Sequence, residues 1–290
     1  MFDTVFRRVR SSVSSRSETV GLLLRNPAGL AGVVIIAFYC FLAIAGPYIA
    51  PYPPNYFPNN IQILPPSAKH LMGTDLYGRD IFSRVLYAAR LDMLLSVIGV
   101  TLSFSVGEAV GLVAGYFGRG TDQALMRGMD VLLAFPTILL AIAIAIAIGP
   151  GFFTIVIAIA IVGIPGFARI TRSVVLSTRE ELFVTGAVSV GASRSRIMRD
   201  HIFPNTLSPS LVLYSVSLGA AMLVAAGLSF LGAGIPPPTA EWGAMITEGL
   251  PYIQDWWMTV FPGIMITGAV LGFNMFGEAL REAMDVTLRR

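Results

Sequence analysis

The sequence predicts an all-α polytopic membrane protein, and three observations support this fold class. Hydrophobic residues make up 55% of the 290 residues, whereas charged residues make up only 13%. Six apolar runs are each about 20 residues long, which is the length a helix needs to cross about 30 Å of hydrocarbon. Lys and Arg residues are concentrated in alternate connections between these runs. Because a helix satisfies its own backbone in lipid, we interpret the runs as six transmembrane helices.

A polar, basic arm of residues 1–27 precedes the first apolar run and carries five arginines. The arm is too long and too charged for the n-region of a signal peptide, and it has no convincing small-residue cleavage site. Phe2, Val5, Phe6 and Val9 recur at helical spacing. The arm is therefore either an amphipathic helix on the membrane surface or a disordered segment.

Residues 28–290 are expected to form the transmembrane domain. Its spans are predicted at 29–50, 91–117, 129–148, 152–171, 207–232 and 258–280. The single cysteine, Cys40, lies in the first span, so no internal disulfide can form. His70 and His201 are far apart in sequence and lack nearby Cys partners, so we expect no metal site.

The positive charges orient the spans. With the N-terminus inside, the cytoplasmic segments hold sixteen of the twenty Lys and Arg residues, and the outer segments hold only Lys69, Arg79, Arg84 and Arg90. This bias predicts a multi-pass protein of the cell membrane with both termini in the cytoplasm. Membrane topology thus explains the pI of about 9.2, and we expect no nucleic-acid partner.

Two outer segments, 51–90 and 233–257, are longer than simple connectors. Both mix proline, aromatic and acidic residues, which is typical of ordered loops. Their polar and aromatic residues either form local networks that cap the helix ends or dock a protein outside the membrane. The candidates for these roles are Asp75, Arg79, Asp80, Glu241 and Trp242.

Glu108 lies in the middle of the second apolar run. An ionised carboxylate in lipid costs about 2.5 kcal/mol or more, so Glu108 should face protein or water. It either lines a pathway, is protonated, or accepts hydrogen bonds from a neighbouring helix. The sequence shows no catalytic triad, paired carboxylates or metal-ligand set, so we do not expect an enzyme.

The stretch Thr185 to Asn205, here called the polar segment, is the longest one after Arg90 that cannot sit in lipid. Its spacing predicts a helix with small and apolar side chains on one stripe. The stripe comprises Val184, Ala187, Val188, Gly191, Ser195 and Met198. A glycine inside a helix costs about 1 kcal/mol relative to alanine, so Gly191 suggests the close approach of another surface. Pro204 is expected to end the helix.

The helix predicted in the polar segment either docks a cytoplasmic partner or lies on the inner leaflet as an amphipathic helix. The segment resembles the EAA loop of bacterial ABC importer permeases. In that loop a glycine follows six residues after the Glu of Glu-Ala-Ala, and a proline-ended turn comes later. Ala187, Gly191 and Pro204 stand at matching positions. Thr185 and Gly186 replace the glutamate and the first alanine, so the carboxylate for a salt bridge to the ATPase is missing. The candidate ATPase-coupling residues are Thr185, Gly186, Ala187, Gly191, Ala192, Arg194, Ile197 and Pro204.

Three further blocks resemble the C-type permease of the dipeptide/oligopeptide/nickel ABC importer family. They are MGTDLYGRDIFSR (72–84), GLSFLGAGIPPPTAEWGAMITEG (227–249) and FPGIMITGAVLGFNMFGEALRE (261–282). The resemblance implies a type I ABC importer architecture with residues 185–205 as the coupling loop. It also implies a homologous B-type permease, one or two cytoplasmic ATPase subunits, an extracytoplasmic substrate-binding protein and membrane lipid as partners.

ATP and Mg²⁺ are expected on the ATPase subunits, because this chain has no GxxxxGK[ST] phosphate loop and is expected to hold no cofactor itself. The expected substrates are di- or oligopeptides. Nickel, glutathione and oligosaccharides remain alternatives, since the binding protein usually sets the selection. A secondary transporter that works without ATP is a further alternative, but it would have an inverted repeat and several charges within its spans.

Overall fold

The structure is a computed structural model that describes residue 23 and residues 26–58 and 61–284. Almost all of the basic arm 1–27 lies outside the described residues. The described residues form helices and no β-strand. In chain order, helices α1 to α9 are Pro27–Ile49, Ile81–Phe117, Arg119–Leu133, Thr137–Ile148, Phe152–Thr178, Leu182–Ser189, Arg194–Phe230, Trp242–Gly249 and Trp257–Met284.

Helices α1, α2, α5, α7 and α9 are long and apolar enough to cross a membrane, and the bent pair α3–α4 provides a sixth candidate span. The protein is thus an all-α polytopic membrane protein, as the sequence predicts. Asn26 caps the start of helix α1, and its side chain accepts hydrogen bonds from the amides of Ala28 and Gly29. It lies against α9, where the Tyr39 hydroxyl donates to the Met265 carbonyl at 2.6 Å.

Helices α2 and α5 form the closest pair, and glycines at every fourth position of α2 allow their approach. A Cβ atom would lie 2.5 Å from the Phe167 side chain at Gly107, and 2.7 Å from the Val175 side chain at Gly115. Gly111, between them, faces the backbone of α5 in the same way. Small residues at this spacing let membrane helices pack backbone to backbone. The α2–α5 pair is therefore the most extensively packed pair of helices in the described bundle.

The second span begins at Ile81, ten residues before the predicted start at 91. Its first turns contain charged residues, which hydropathy assigns to a loop. The Asp80 side chain caps the helix by accepting from the Ser83 amide at 2.8 Å. Arg84 is buried in protein instead of facing lipid. Contacts with other residues of the same chain thus allow the helix to begin before the apolar part of the sequence.

The third span was predicted as one helix over 129–148, and this is wrong: α3 and α4 meet at an angle of 90°. Pro136 causes the break, because it lacks an N–H group and disfavours the helical conformation of the preceding residue. Helix α3 has no buried residue. Two ion pairs tie it to α5: Arg169–Asp130 at 2.6 Å and Arg172–Asp122 at 2.5 Å.

Pro204 does not end a helix, contrary to the prediction. Helix α7 passes through it without interruption, from Arg194 to Phe230. The turns before the proline, Ile197–Ile202, are π-helical, and the Phe203 amide donates to the carbonyl of Met198, five residues earlier. The wider π-turn relieves the clash that a proline ring makes in a regular α-helix.

Candidate coupling segment and the opposite ion-pair network

The polar segment folds as two helical pieces joined at Gly191, and not as one helix. The Ala192 amide donates to the Ala187 carbonyl at 3.0 Å, and the Gly191 amide donates to the Val188 carbonyl at 2.9 Å. Gly191 has φ +80°, so this is a Schellman termination in which glycine ends α6. The predicted stripe across Gly191 is therefore wrong, and a turn requires the glycine.

One side of α6 packs on its own chain. Val184, Ile197 and Ile202 are buried together with Val175 of α5, and Ala187 and Ala192 pack against this cluster. Leu112 and Tyr116, near the end of α2, pack against it as well. Among the candidate coupling residues, Ile197 is therefore internal, and the two alanines attach α6 to the spans.

The other side of α6 is open. Leu182 is 88% exposed and Val190 is 84% exposed, and Val188 is exposed as well. Thr185 and Gly186 lie on the same exposed helix. The remaining exposed candidates are Gly191, Arg194 and Pro204. An apolar surface on a segment too polar to lie in lipid is typical of a protein contact.

Glu108 is only 3% exposed and holds three spans together. Its carboxylate accepts hydrogen bonds from the Thr171 hydroxyl of α5 and, at 3.1 Å, from the Thr206 hydroxyl of α7. The Ser210 hydroxyl lies 3.4 Å from that of Thr171. Of the roles considered from the sequence, the structure shows the interhelix hydrogen bonds, and the side chain does not face an open pathway.

At the opposite end of α2, four charged side chains form what we call the ion-pair network. Arg79 contacts Asp75 and Glu248, each at 2.5 Å. Arg84 contacts the same two carboxylates at 3.7 Å and 3.4 Å. Both arginines are 1% exposed. The network ties the loop before α2 to α8, the short helix between α7 and α9.

The other residues expected to dock a protein are also internal. Asp80, besides capping α2, lies 2.9 Å from the His70 Nδ1 atom. Glu241 caps α8 by accepting from the amides of Gly243 and Ala244 at 2.9 Å and 2.7 Å. The Trp242 indole donates to the Val85 carbonyl at 3.1 Å. Because their side chains are buried, these residues serve the local networks and offer no external docking surface in this structure.

Sequence reasoning missed two members of the ion-pair network, Arg84 and Glu248. Arg84 lies in the same charged block as Arg79, within one turn of the Asp80 cap, which was a usable signal. Glu248 is 164 residues from Arg84 in the chain. Nothing local in the sequence pairs them, since the contact depends on how α8 folds back onto α2.

Comparison with known proteins identifies the class. Residues 107–290 match the family of binding-protein-dependent transport system inner membrane components, and residues 18–66 match the N-terminal transmembrane domain of oligopeptide transport permease C. The first match covers more than half of the chain. This chain belongs to the family of binding-protein-dependent transport system inner membrane components.

Individual relatives are similar over nearly their whole length. The chain is 42% identical over 282 residues to the dipeptide transport system permease protein DppC of Alkalihalophilus pseudofirmus, covering 96% of this chain and 92% of the relative. It is 38% identical over 270 residues to the probable D,D-dipeptide transport system permease protein DdpC of Escherichia coli, covering 93% and 91%. It is 37% identical over 283 residues to DppC of Bacillus subtilis, covering 97% and 88%.

Proposed function

We propose that this chain is one of two membrane subunits of an ATP-driven importer of di- or oligopeptides, and that α6 is its contact with the ATPase. The exposed apolar side of α6 carries this proposal. The relatives named for dipeptide transport support a peptide substrate. The excess of positive charge on the segments that include α6 supports a cytoplasmic position for it.

The packing of α6 explains how a movement could reach the spans. Val184 of α6 packs on Val175 of α5 and on Ile197 and Ile202 of α7. Glu108 then joins α5 and α7 to α2. A displacement of α6 by closing ATPase subunits would therefore tilt the inner ends of α5 and α7 together. ATP and Mg²⁺ would be bound by the ATPases, and this chain would act without a catalytic site.

The ATPase contact would depend on shape and apolar area, because position 185 lacks the carboxylate found in the EAA loop. Leu182, Val188 and Val190 provide exposed apolar area. The hydroxyl of Thr185 is turned to its own helix, where it donates to the Glu181 carbonyl at 3.4 Å. A docking surface of this kind would be insensitive to salt, unlike one that relies on ion pairs.

Two further partners complete the proposal. A B-type permease would cover α3, α4 and the turn between them, whose exposed apolar residues include Val131, Phe135 and Ile146. A substrate-binding protein would dock on exposed aromatic residues outside the ion-pair network, such as Tyr56 and Tyr77. Both termini would lie in the cytoplasm.

Gly186 offers the sharpest test of the ATPase contact. A Cβ atom added there would meet nothing within 4 Å, so the chain itself tolerates bulk at this position. We expect Gly186→Trp to insert normally but to lose at least tenfold in ATPase co-purification and in labelled dipeptide uptake. Gly186→Ala is the matched control and should retain both ATPase co-purification and dipeptide uptake. Gly191→Trp is less suitable, because its φ of +80° would add backbone strain to the effect of bulk.

Two results would contradict these assignments separately. Normal ATPase co-purification with Gly186→Trp would remove α6 as the contact while leaving the family membership intact. Unchanged dipeptide uptake in cells that lack this subunit would instead remove the peptide substrate. Uptake of nickel, glutathione and labelled oligosaccharides should be measured in the same cells.

A further inference from the structure

A cavity of about 550 Å³ lies between the end of α2 and the start of α7. One wall is polar and comprises Ser195, Arg196 and Arg199. The other wall is apolar and comprises Leu112, Met198 and Phe203. Leu112 belongs to the last turns of α2, and Phe203 lies just before the predicted fifth span. The cavity thus lies where the spans pass from hydrocarbon to water.

Among the described residues, the polar wall carries more positive than negative charge. Arg199 contacts Asp200 at 2.8 Å, and this hydrogen bond lowers the pKa of the Asp200 carboxyl, so the pair is ionised and internally balanced. Arg196 forms no ion pair with any residue that the structure describes. It acts on Asp200 only at longer range, so two guanidinium groups share one carboxylate here, and the cavity lining, which also includes Ser195, keeps an excess of one positive charge.

We propose that this cavity binds the phosphate head group of an anionic phospholipid from the inner leaflet. Guanidinium and hydroxyl groups are suitable donors to a phosphate, and the apolar wall matches the glycerol and first acyl carbons attached to it. Basic pockets between transmembrane helices on the cytoplasmic side commonly hold anionic lipid heads. The placement in the inner leaflet rests on the proposed orientation of the spans.

An acidic side chain of the ATPase is the main competing occupant. The apolar wall argues against it, because Leu112 and Phe203 belong to the ends of membrane helices. A carboxylate from a soluble subunit would gain nothing from that wall and would lose hydration against it. A phospholipid contacts both walls, because its phosphate meets the polar wall while its glycerol and first acyl carbons meet the apolar wall. Bound lipid would stabilise the attachment of the polar segment to α2, next to the surface proposed for coupling.

Arg194 provides a matched control for Arg196. Both are exposed arginines on the same turn, but Arg194 is not part of the cavity wall. The complete importer should be purified from membranes that contain a small fraction of phosphatidylglycerol in phosphatidylcholine, and the retained lipids counted by native mass spectrometry. We expect Arg196→Gln to lower phosphatidylglycerol retention about fivefold, the effect of one basic group near an anionic surface. Arg194→Gln should leave retention nearly unchanged.

A second variant removes the cavity without changing the charge. Ser195→Trp should abolish selective retention of phosphatidylglycerol while phosphatidylcholine retention and elution volume stay as in the wild type. Equal losses in Arg194→Gln and Arg196→Gln would overturn the proposal, because they would indicate only general attraction to the membrane. Displacement of the lipid by inorganic phosphate alone would assign the site to a free anion. Loss of ATPase binding by Arg196→Gln in pure phosphatidylcholine would assign it to the ATPase.

Discussion

The ion-pair network and the polar segment are both charged regions, but they differ in whether their charged side chains are buried against partners in the same chain. In the ion-pair network, Arg79 and Arg84 are buried and share the carboxylates of Asp75 and Glu248. In the polar segment, Arg194, Arg196 and Val190 are exposed, and so is Leu182 just before it. The first region satisfies its polar groups within the chain. The second leaves charged groups and apolar side chains exposed to solvent.

This difference separates structural charges from those available to partners. The two long connections at the ion-pair end fold over each other, so a carboxylate from one meets guanidinium groups from the other. At the other end α6 is short, and only one of its sides can be covered by α5 and α7. We therefore infer that the charges of the ion-pair network need no partner from outside the chain, whereas the polar segment is completed by other molecules.

The largest expected effect is on the ion-pair network. Arg79→Ala would leave Asp75 and Glu248 with Arg84 as their one cation, at 3.7 Å and 3.4 Å, and removing one partner of a buried pair typically costs about 3–5 kcal/mol. The equivalent change in the polar segment, Arg196→Ala, should change the free energy of unfolding by no more than about 0.5 kcal/mol. Thermal unfolding of the purified importer in one detergent gives both values. Equal losses would break the distinction between the two regions.

Glu108→Ala should have an intermediate effect. It would remove the carboxylate acceptor of the buried Thr171 hydroxyl, at a cost of about 1–3 kcal/mol, whereas the Thr206 hydroxyl keeps the Phe203 carbonyl at 2.9 Å as an acceptor. Glu108→Gln keeps an acceptor oxygen and should lose less stability. If Glu108 is structural, the Gln variant should have the same KM for cationic and anionic dipeptides as the wild type. A KM change for only one charge class would indicate that the carboxylate meets the substrate.

Local effects are expected at the two glycines of the polar segment, and they should have opposite signs. Gly191→Ala places a side chain at φ +80° and should weaken the end of α6 by about 1–2 kcal/mol. Gly186→Ala should strengthen the helix by about 0.5–1 kcal/mol, because its Cβ meets nothing. Hydrogen exchange of the amides from Val188 to Ala192 measures both changes. Destabilisation by both variants would contradict the observed end of α6.

The sequence predicted correctly those features that depend on residues close together in the chain. The length of the apolar runs located the five long spans. The charged composition of the polar segment showed that it does not lie in the hydrocarbon. The sequence could not show that Gly191 ends a helix, because a glycine fits both a close contact and a left-handed turn. The prediction for Pro204 was wrong, because the proline is accommodated by the six π-helical residues Ile197–Ile202, which no single residue type signals. The partners of Arg84 and Glu108 depend on how distant helices meet, which no local pattern encodes.

Site-specific photo-crosslinking tests the central claim most directly, namely that the open side of α6 contacts the ATPase. A photoreactive amino acid should be placed at the exposed Val190, which caps the end of α6, in the complete importer, and at Val184 on the buried side of α6 as the matched control. We predict that Val190 crosslinks to the ATPase polypeptide and that Val184 crosslinks only within this chain. Crosslinks from Val190 to lipid alone, or equal ATPase crosslinking from both positions, would contradict the claim.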